Sequence, residues 1–171
     1  VDIDVDGEPR TYRYRLRRPG GEEPAPLVVF LHGMGERGSD NLAQLGHFPH
    51  RVLRADHLKD KRCFVLAPQC PEDDSWVRWR EPDNPDPTHA MRAAIAAIDQ
   101  VMAEERIDPD RVYLLGLSMG GYGTWDLAAR QPERFAAIVP VCGGGDPSKM
   151  DRLVGLPTWV FHGTADRVVP E

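Results

Sequence analysis

The sequence predicts an α/β protein in which a mostly parallel β-sheet carries helices on both faces. Short apolar, β-branched runs of strand length alternate along the chain with longer amphipathic or alanine-rich stretches. The apolar runs are unbroken, as expected for strands that are covered on both faces of a parallel sheet. With 171 residues and no internal repeat, we expect a single domain covering residues 1–171.

The first element predicted is an antiparallel hairpin. Residues 1–6 alternate apolar side chains with aspartates, and Asp6-Gly7 is a turn signal. Residues 12–17 then alternate Tyr or Leu with arginines. We expect the two runs to pair, so that a row of aspartates faces a row of arginines at a solvated sheet edge with no chemical role.

The main sheet follows from five apolar runs and two helical stretches. Strands are predicted at 26–32, 63–67, 111–115, 135–142 and 157–162. One helix begins at Thr88 and ends at Asp108-Pro109, and another covers Met119 to Arg130 before Pro132. Only Gly143 to Leu156 joins the last two strands, which is short for a lid domain, so we expect an open cleft.

Composition excludes several classes of partner. A net charge of −6 argues against nucleic acid and anionic membrane surfaces. The longest uncharged apolar run, Leu27 to Leu31, is too short to span a bilayer. The three cysteines form no disulfide framework, because Cys63 and Cys70 flank one strand and should lie roughly 20 Å apart. The compartment stays open, with an extracellular or periplasmic location preferred.

The stretch around Ser118 is the centre of the predicted chemistry. Gly116-Leu-Ser118-Met-Gly120 lies between a strand and a helix, which is the context of a nucleophile elbow. Such a turn holds its serine in a sparsely allowed conformation, and the glycines leave room for closely crossing chains. The alternative is a glycine-rich turn with an inert serine, which the bare pentapeptide alone would favour.

The glycine-rich loop from His32 to Gly38 follows the first buried strand. Loops of this kind turn backbone N–H groups into an anion-binding nest. A phosphate cradle is the competing interpretation, but no Gly-Lys-Ser/Thr follows. Together with the Ser118 elbow, the loop is better interpreted as half of an oxyanion hole.

A long irregular loop, from Pro71 to Pro87, leaves the strand at 63–67. Long ordered loops in that position tend to be functional. Trp76 and Gln69, together with His32, are candidates for lining a substrate cleft, although a tryptophan that covers the core edge is as plausible. We expect no cofactor and no metal site, because His47, His50 and His57 have no cysteine or carboxylate at ligand spacing.

Asp166 is the candidate acid of a catalytic triad. It follows the strand at 157–162 and so lies at the same sheet edge as Ser118. In triads with the chain order Ser, Asp, His, this is the position of the acid. The alternatives are a turn aspartate that bonds its own backbone, or Asp146 as the acid. No histidine follows Asp166. His162 is the one histidine after Ser118, and it could reach Ser118 only with strain.

These motifs resemble the α/β-hydrolase superfamily. PLVVFLHGMGERGSDN (26–41), VLAPQCP (65–71), residues 110–146 and WVFHGTADRVVP (159–170) are similar to the lidless esterases and "predicted peptidases" related to polyhydroxybutyrate depolymerases, feruloyl esterases and dienelactone hydrolases. The resemblance implies an acyl-transfer hydrolase with Ser118 as nucleophile and Asp166 as acid. It also implies that the backbone N–H groups of Met34 and Met119 form the oxyanion hole.

The resemblance also implies a helix, a strand and a histidine-bearing loop after Pro170. We therefore expect a chain trimmed or cut from a longer protein, lacking roughly 40–60 residues and the catalytic histidine. The predicted function is a serine carboxylic-ester hydrolase for small-molecule or polymer-linked esters. The alternatives are a non-catalytic binding module and a serine peptidase of the same fold. We also expect self-association through the sheet edge at 157–162.

Overall fold

The computed structural model describes residues 1–54, 61–78, 81 and 84–169. Its strands are β1 (Asp2–Val5), β2 (Glu8–Thr11), β3 (Tyr14–Arg17), β4 (Ala25–Leu31), β5 (Phe64–Pro68), β6 (Ile107–Leu117) and β7 (Ala137–Val141). Its α-helices are α1 (Phe48–Arg54), α2 (His89–Glu104) and α3 (Met119–Arg130).

The main sheet has the strand order β3-β5-β4-β6-β7, and only β3 runs antiparallel to its neighbour. Side chains alternate between its two faces. On one face, Leu27, Val29 and Leu31 join the core cluster formed with α2 and α3. On the other face, Phe30 packs on Phe48 of α1, with their ring centroids 5.6 Å apart. The predicted mostly parallel sheet with helices on both faces is confirmed.

Helix α2 begins where its sequence predicts. The hydroxyl of Thr88 accepts a hydrogen bond from the N–H of Met91 (3.0 Å) and caps the first turn. Its buried alanines allow close packing against the sheet. The predicted end at Asp108-Pro109 is wrong, because the helix stops at Glu104 and these residues lie inside β6.

The N-terminal hairpin is present, but it is shorter than predicted. β1 pairs with β2, so that Asp2 lies opposite Thr11 and Asp4 lies opposite Pro9. The expected facing rows of aspartates and arginines are therefore wrong. The arginine-bearing run forms β3, which leaves the hairpin and pairs with β5, where Leu16 lies opposite Leu66. Pairing with the main sheet buries more apolar surface than an isolated ribbon could.

The segment predicted as a last strand, residues 157–162, lies beside β7. It forms only two isolated parallel bridges, joining Ile138 to Thr158 and Val141 to Phe161. Trp159 and Phe161 stack with their ring centroids 4.7 Å apart and are 68% and 42% exposed. The described sheet therefore ends in an exposed apolar border.

Between β7 and this border, residues 143–156 fold into a loop that contains a 3₁₀-helix over Pro147–Leu153. This compact loop agrees with the expectation that no lid domain is inserted here. Among the described residues, no helix is long and apolar enough to cross a membrane.

The three cysteines are free thiols, as the sequence predicts. Cys70 is fully buried, whereas Cys63 and Cys142 are partly exposed. Burial raises the pKa of the Cys70 thiol far above its usual value, so the reactive thiolate is scarce.

We expect iodoacetamide to modify Cys70 in the native protein at least tenfold more slowly than Cys142, and equally fast after unfolding. Peptide mass spectrometry measures both rates, and equal native rates would contradict the burial.

Candidate active site

Ser118 lies in the sharp turn between β6 and α3. Its backbone has φ +54° and ψ −116°, a region that residues other than glycine rarely adopt. The turn is held from both sides, because the N–H of Ser118 donates to the carbonyl of Val141 (2.8 Å) and its carbonyl accepts from Tyr122 (3.1 Å). The serine is partly exposed at the carboxyl end of β6, with the N-terminus of α3 beside it.

The turn is possible because glycines let main chains approach closely. A Cβ at Gly116 would overlap the carbonyl of Gly120, and a Cβ at Gly120 would overlap the carbonyl of Leu31. A Cβ at Gly121 would lie 2.7 Å from the carbonyl oxygen of Val141. Helix α3 therefore rests directly on the ends of β4 and β7, with no side chain between them.

The His32 to Gly38 loop passes next to Ser118. A Cβ at Gly33 would lie 3.7 Å from the Cβ of Ser118. Met34 follows with its side chain half exposed, while Met119 is buried under the turn. Among the described residues, no hydrogen bond occupies the backbone N–H of Met34 or of Met119. Two N–H groups without a hydrogen bond to any described residue thus lie on segments beside Ser118.

His32 fixes this loop from inside. Its Nε2 accepts from the N–H of Cys70 (2.9 Å), so Nδ1 carries the proton and donates to the carbonyl of Gly33 (2.6 Å). Burial lowers the pKa of His32, which keeps the ring neutral and able to accept. Its own carbonyl accepts from the indole of Trp76 (2.9 Å). His32 therefore ties the end of β4 to the loop after β5.

Gln69 and Trp76 are likewise buried, at 4% and 1% exposure, and His32 is at 0%. Gln69 accepts from the N–H of Asn41 (2.6 Å) and donates to Asp40 (2.8 Å), so it braces the far end of the glycine-rich loop. The sequence predicts that these three side chains line a cleft. In the structure they are buried instead, and their hydrogen bonds hold the surrounding loops.

Sequence reasoning missed Arg37 as a further support. Its guanidinium donates to the carbonyls of Glu72 (2.9 Å) and Met34 (3.2 Å), joining the glycine-rich loop to the loop after β5. An arginine inside a glycine-rich loop was the available signal, since its five donors suit backbone carbonyls on neighbouring segments.

Asp166 lies in a turn just past the segment at 157–162. One carboxylate oxygen, Oδ1, accepts from the N–H groups of Val168 (2.8 Å) and Val169 (3.0 Å). These bonds lower the pKa of Asp166, with a smaller contribution from His162. The stabilisation by the carboxylate is therefore present at neutral pH and is lost as the pH falls through the lowered pKa. Oδ1 thus behaves as expected for a turn aspartate, while Oδ2 lies 4.0 Å from Nε2 of His162.

Among the described residues, no hydrogen bond joins His162 to Ser118. Its Nε2 contacts the carbonyl of Val169 (2.7 Å) and lies 4.0 Å from Oδ2 of Asp166. Asp146, the other candidate acid, accepts from the N–H and hydroxyl of Ser148 and caps the 3₁₀-helix. Oδ2 of Asp146 lies 3.2 Å from Nζ of Lys149 in that 3₁₀-helix, whereas Oδ2 of Asp166 forms no hydrogen bond among the described residues.

Two of the remaining histidines contact other side chains. His47 lies 3.3 Å from the carboxylate of Glu36, a partner that sequence spacing did not reveal. His89 contacts Arg92 at the start of α2, and His57 lies outside the described residues. Within the described ranges, no group of three or more His, Cys, Asp or Glu side chains could hold a metal ion.

Comparison with known proteins identifies the family. The model of the α/β hydrolase fold family matches residues 26–171, and the chain belongs to that family. It is 40% identical to a thermostable esterase of known crystal structure, with a TM-score of 0.81 over 99% of this chain and 47% of that one.

Two curated relatives carry names of the same kind. NocK of Nocardia uniformis subsp. tsuyamanensis, whose name describes it provisionally as an esterase, is 31% identical over 99% of this chain and 48% of its own length. Poly(3-hydroxyalkanoate) depolymerase C of Paucimonas lemoignei is 32% identical over 70% of this chain and 28% of its own length. The chain thus spans about half or less of the length of these relatives.

Proposed function

We propose that the protein containing this chain is a serine carboxylic-ester hydrolase in which Ser118 is the nucleophile. The observation that carries this proposal is the strained backbone of Ser118, held at φ +54° on a turn where main chains touch. A strained residue of this kind costs about 1–3 kcal/mol and persists only when its surroundings over-determine it. A binding module has no need of that strain, which favours an enzyme over a non-catalytic relative.

The proposed chemistry is acyl transfer through a covalent intermediate. The Ser118 hydroxyl attacks the ester carbonyl carbon while a histidine takes its proton, and the N–H groups of Met34 and Met119 stabilise the oxyanion. Collapse of the tetrahedral intermediate breaks the ester C–O bond, and the histidine returns the proton to the leaving alcohol. Water then releases the acid and restores Ser118. A peptidase would use the same steps, with an amine as leaving group.

Asp166 is proposed to orient that histidine through Oδ2 and to stabilise its charged form. We propose that the histidine comes from a segment outside these 171 residues. Two observations support this. The ring nitrogens of His32 are both occupied inside the core, and Nε2 of His162 is turned toward Val169.

The relatives guide the proposed substrate class. One relative is named a depolymerase of poly(3-hydroxyalkanoate), and the loop at 143–156 forms no lid over the site. We propose that the protein accepts esters that are attached to bulky or polymeric partners as well as small esters.

A fluorophosphonate probe tests the nucleophile in the complete protein. We expect stoichiometric labelling of the wild type and of Ser39→Ala, which changes an exposed serine directly after the glycine-rich loop. We expect no labelling of Ser118→Ala. Peptide mass spectrometry locates the adduct. Labelling at any other serine, or undiminished labelling of Ser118→Ala, would refute the assignment.

The exposed border at 157–162 leads to a proposal about association. The 171-residue chain is expected to self-associate, because Trp159, Val160 and Phe161 present exposed apolar side chains along an edge. Val160→Lys should shift sedimentation toward the monomer, since a charged edge disfavours strand pairing. Val154→Lys, at a valine that is 85% exposed and outside the segment 157–162, should not. A wild-type chain that is monomeric at all concentrations would contradict this prediction.

A further inference from the structure

We propose that a groove along helix α3 binds an apolar group of the ester substrate. The groove, called here the α3 groove, has a volume of about 350 Å³, and Val77, Tyr122, Trp125, Ala129 and Met150 form its apolar surface. The assignment to an ester substrate rests on the proposed function. The binding of an apolar ligand there can be tested separately.

The position of the α3 groove connects it to Ser118. Tyr122 lies one helical turn beyond the serine, and its N–H donates to the serine carbonyl. Tyr122, Trp125 and Ala129 follow one another at spacings of three and four residues and therefore share one face of α3. From Ser118 to Ala129 the helix rises about 16 Å. Because Tyr122 both lines the groove and lies one turn from Ser118, the proposal is that a group attached to an ester at Ser118 extends into the groove.

The walls of the groove are built by close packing. The indole N–H of Trp125 donates to the carbonyl of Gly143 (3.2 Å), which fixes the ring. A Cβ at Gly144 would lie 2.9 Å from the ring of Tyr122, and one at Gly145 would lie 3.2 Å from the terminal methyl of Met150. Gly144 and Gly145 thus fit directly against the rings of Tyr122 and Trp125. Fixed aromatic surface and a volume above about 300 Å³ are typical of small-molecule pockets.

The charged side chains around the groove are paired with protein groups. Arg130 forms two hydrogen bonds with the carboxylate of Asp126 (2.7 and 3.1 Å), and Lys149 lies 3.2 Å from Asp146. Arg78 pairs with Glu81 (2.9 Å) and also donates to two carbonyls. A hydroxyl-rich or charged ligand would have to displace these partners. Among the described residues, the surface that remains for recognition is mainly apolar and aromatic, which favours an aryl or alkyl group.

Binding of 2-naphthol to the complete protein tests the groove without catalysis. Isothermal titration calorimetry should show that Met150→Glu weakens binding at least tenfold, because it introduces a charge into the apolar surface. Val154→Glu makes the same change at a residue that is 85% exposed and outside the groove, and it should leave binding unchanged. Met150→Gln, which is neutral and similar in length, should weaken binding less, and thermal unfolding verifies that each variant folds.

Kinetics then connect the groove to the ester. We compare kcat/KM for p-nitrophenyl 2-naphthoate against p-nitrophenyl acetate, and for 2-naphthyl acetate against methyl acetate. The first ratio should fall at least tenfold in Met150→Glu if the groove holds the acyl group, and the second if it holds the alcohol.

The outcomes separate the two proposals. Unchanged naphthol binding in Met150→Glu would overturn the groove as a binding site, and two unchanged ratios would overturn its role toward the substrate. If the wild type hydrolyses none of these esters, the proposed function fails, while lost naphthol binding still supports an apolar site.

Discussion

Replacing Gly120 with alanine is expected to destabilise the protein by about 3 kcal/mol or more, a large effect for one methyl group. The added Cβ would overlap the carbonyl of Leu31 and lie 2.8 Å from the carbonyl oxygen of His32. Both neighbours are backbone at the end of β4, so no side chain can rotate away. Helix α3 must move off the sheet, and the melting temperature should fall by roughly 6–12 °C.

Gly35→Ala is the matched control for this substitution. Gly35 lies in the neighbouring glycine-rich loop, but a Cβ there meets nothing within 4 Å. Its substitution should change the free energy of unfolding by no more than about 0.5 kcal/mol. Calorimetry or thermal circular dichroism compares the two variants. Equal melting temperatures would mean that α3 and β4 are not packed main chain to main chain.

In the complete protein, Asp166→Asn is expected to lower kcat by about 10⁴-fold, the loss that this change causes in a serine protease triad. Asparagine keeps an oxygen that can accept from Val168 and Val169, so the turn should survive. The other carboxylate oxygen, Oδ2, which would orient the histidine, is replaced by a neutral NH₂ group. Steady-state kinetics with p-nitrophenyl acetate measure the effect.

Two further aspartates sharpen that experiment. Asp108 also accepts a backbone N–H two residues ahead, from Asp110 (3.0 Å), and it lies at the far end of β6. Asp108→Asn should keep kcat within about twofold, as is typical of a surface change away from a site. Asp146→Asn distinguishes the two candidate acids. If it causes the larger loss, Asp146 orients the histidine and the assignment of Asp166 is wrong.

The region around Ser118 could be predicted from sequence because its determinants are local. A strand, a glycine-bounded serine and a helix stopped by Pro132 follow each other directly, and α3 has the predicted limits of Met119 and Arg130. Alanine spacing and a threonine cap likewise placed α2 from adjacent residues. Local patterns fix local structure with few alternatives.

The pairing of β3 could not be predicted in the same way. Alternating side chains in residues 12–17 specify a strand but not its partner, and the choice of β5 over β1 depends on burial against distant strands. The end of α2 failed for a similar reason, since Asp108-Pro109 signals a break that β6 accommodates in its exposed first residues.

The roles of His32, Gln69 and Trp76 depended on depth, which sequence does not show. Polar or aromatic residues that follow strands are often exposed, yet here all three are at most 4% exposed. The α3 groove was missed because its walls come from three separate segments, around residues 77–84, 122–130 and 144–150. The spacing of Tyr122 and Trp125 on one helix face was the available local signal.

The contact of main chain with main chain around Ser118 has a consequence for how such a protein can diverge. Gly116, Gly120 and Gly121 fix the serine mainly through contacts with the backbones of β4, β7 and α3 itself. In the proposed hydrolase, exchanges at residues 146–156 would therefore alter which ester is accepted while Ser118 stays in place.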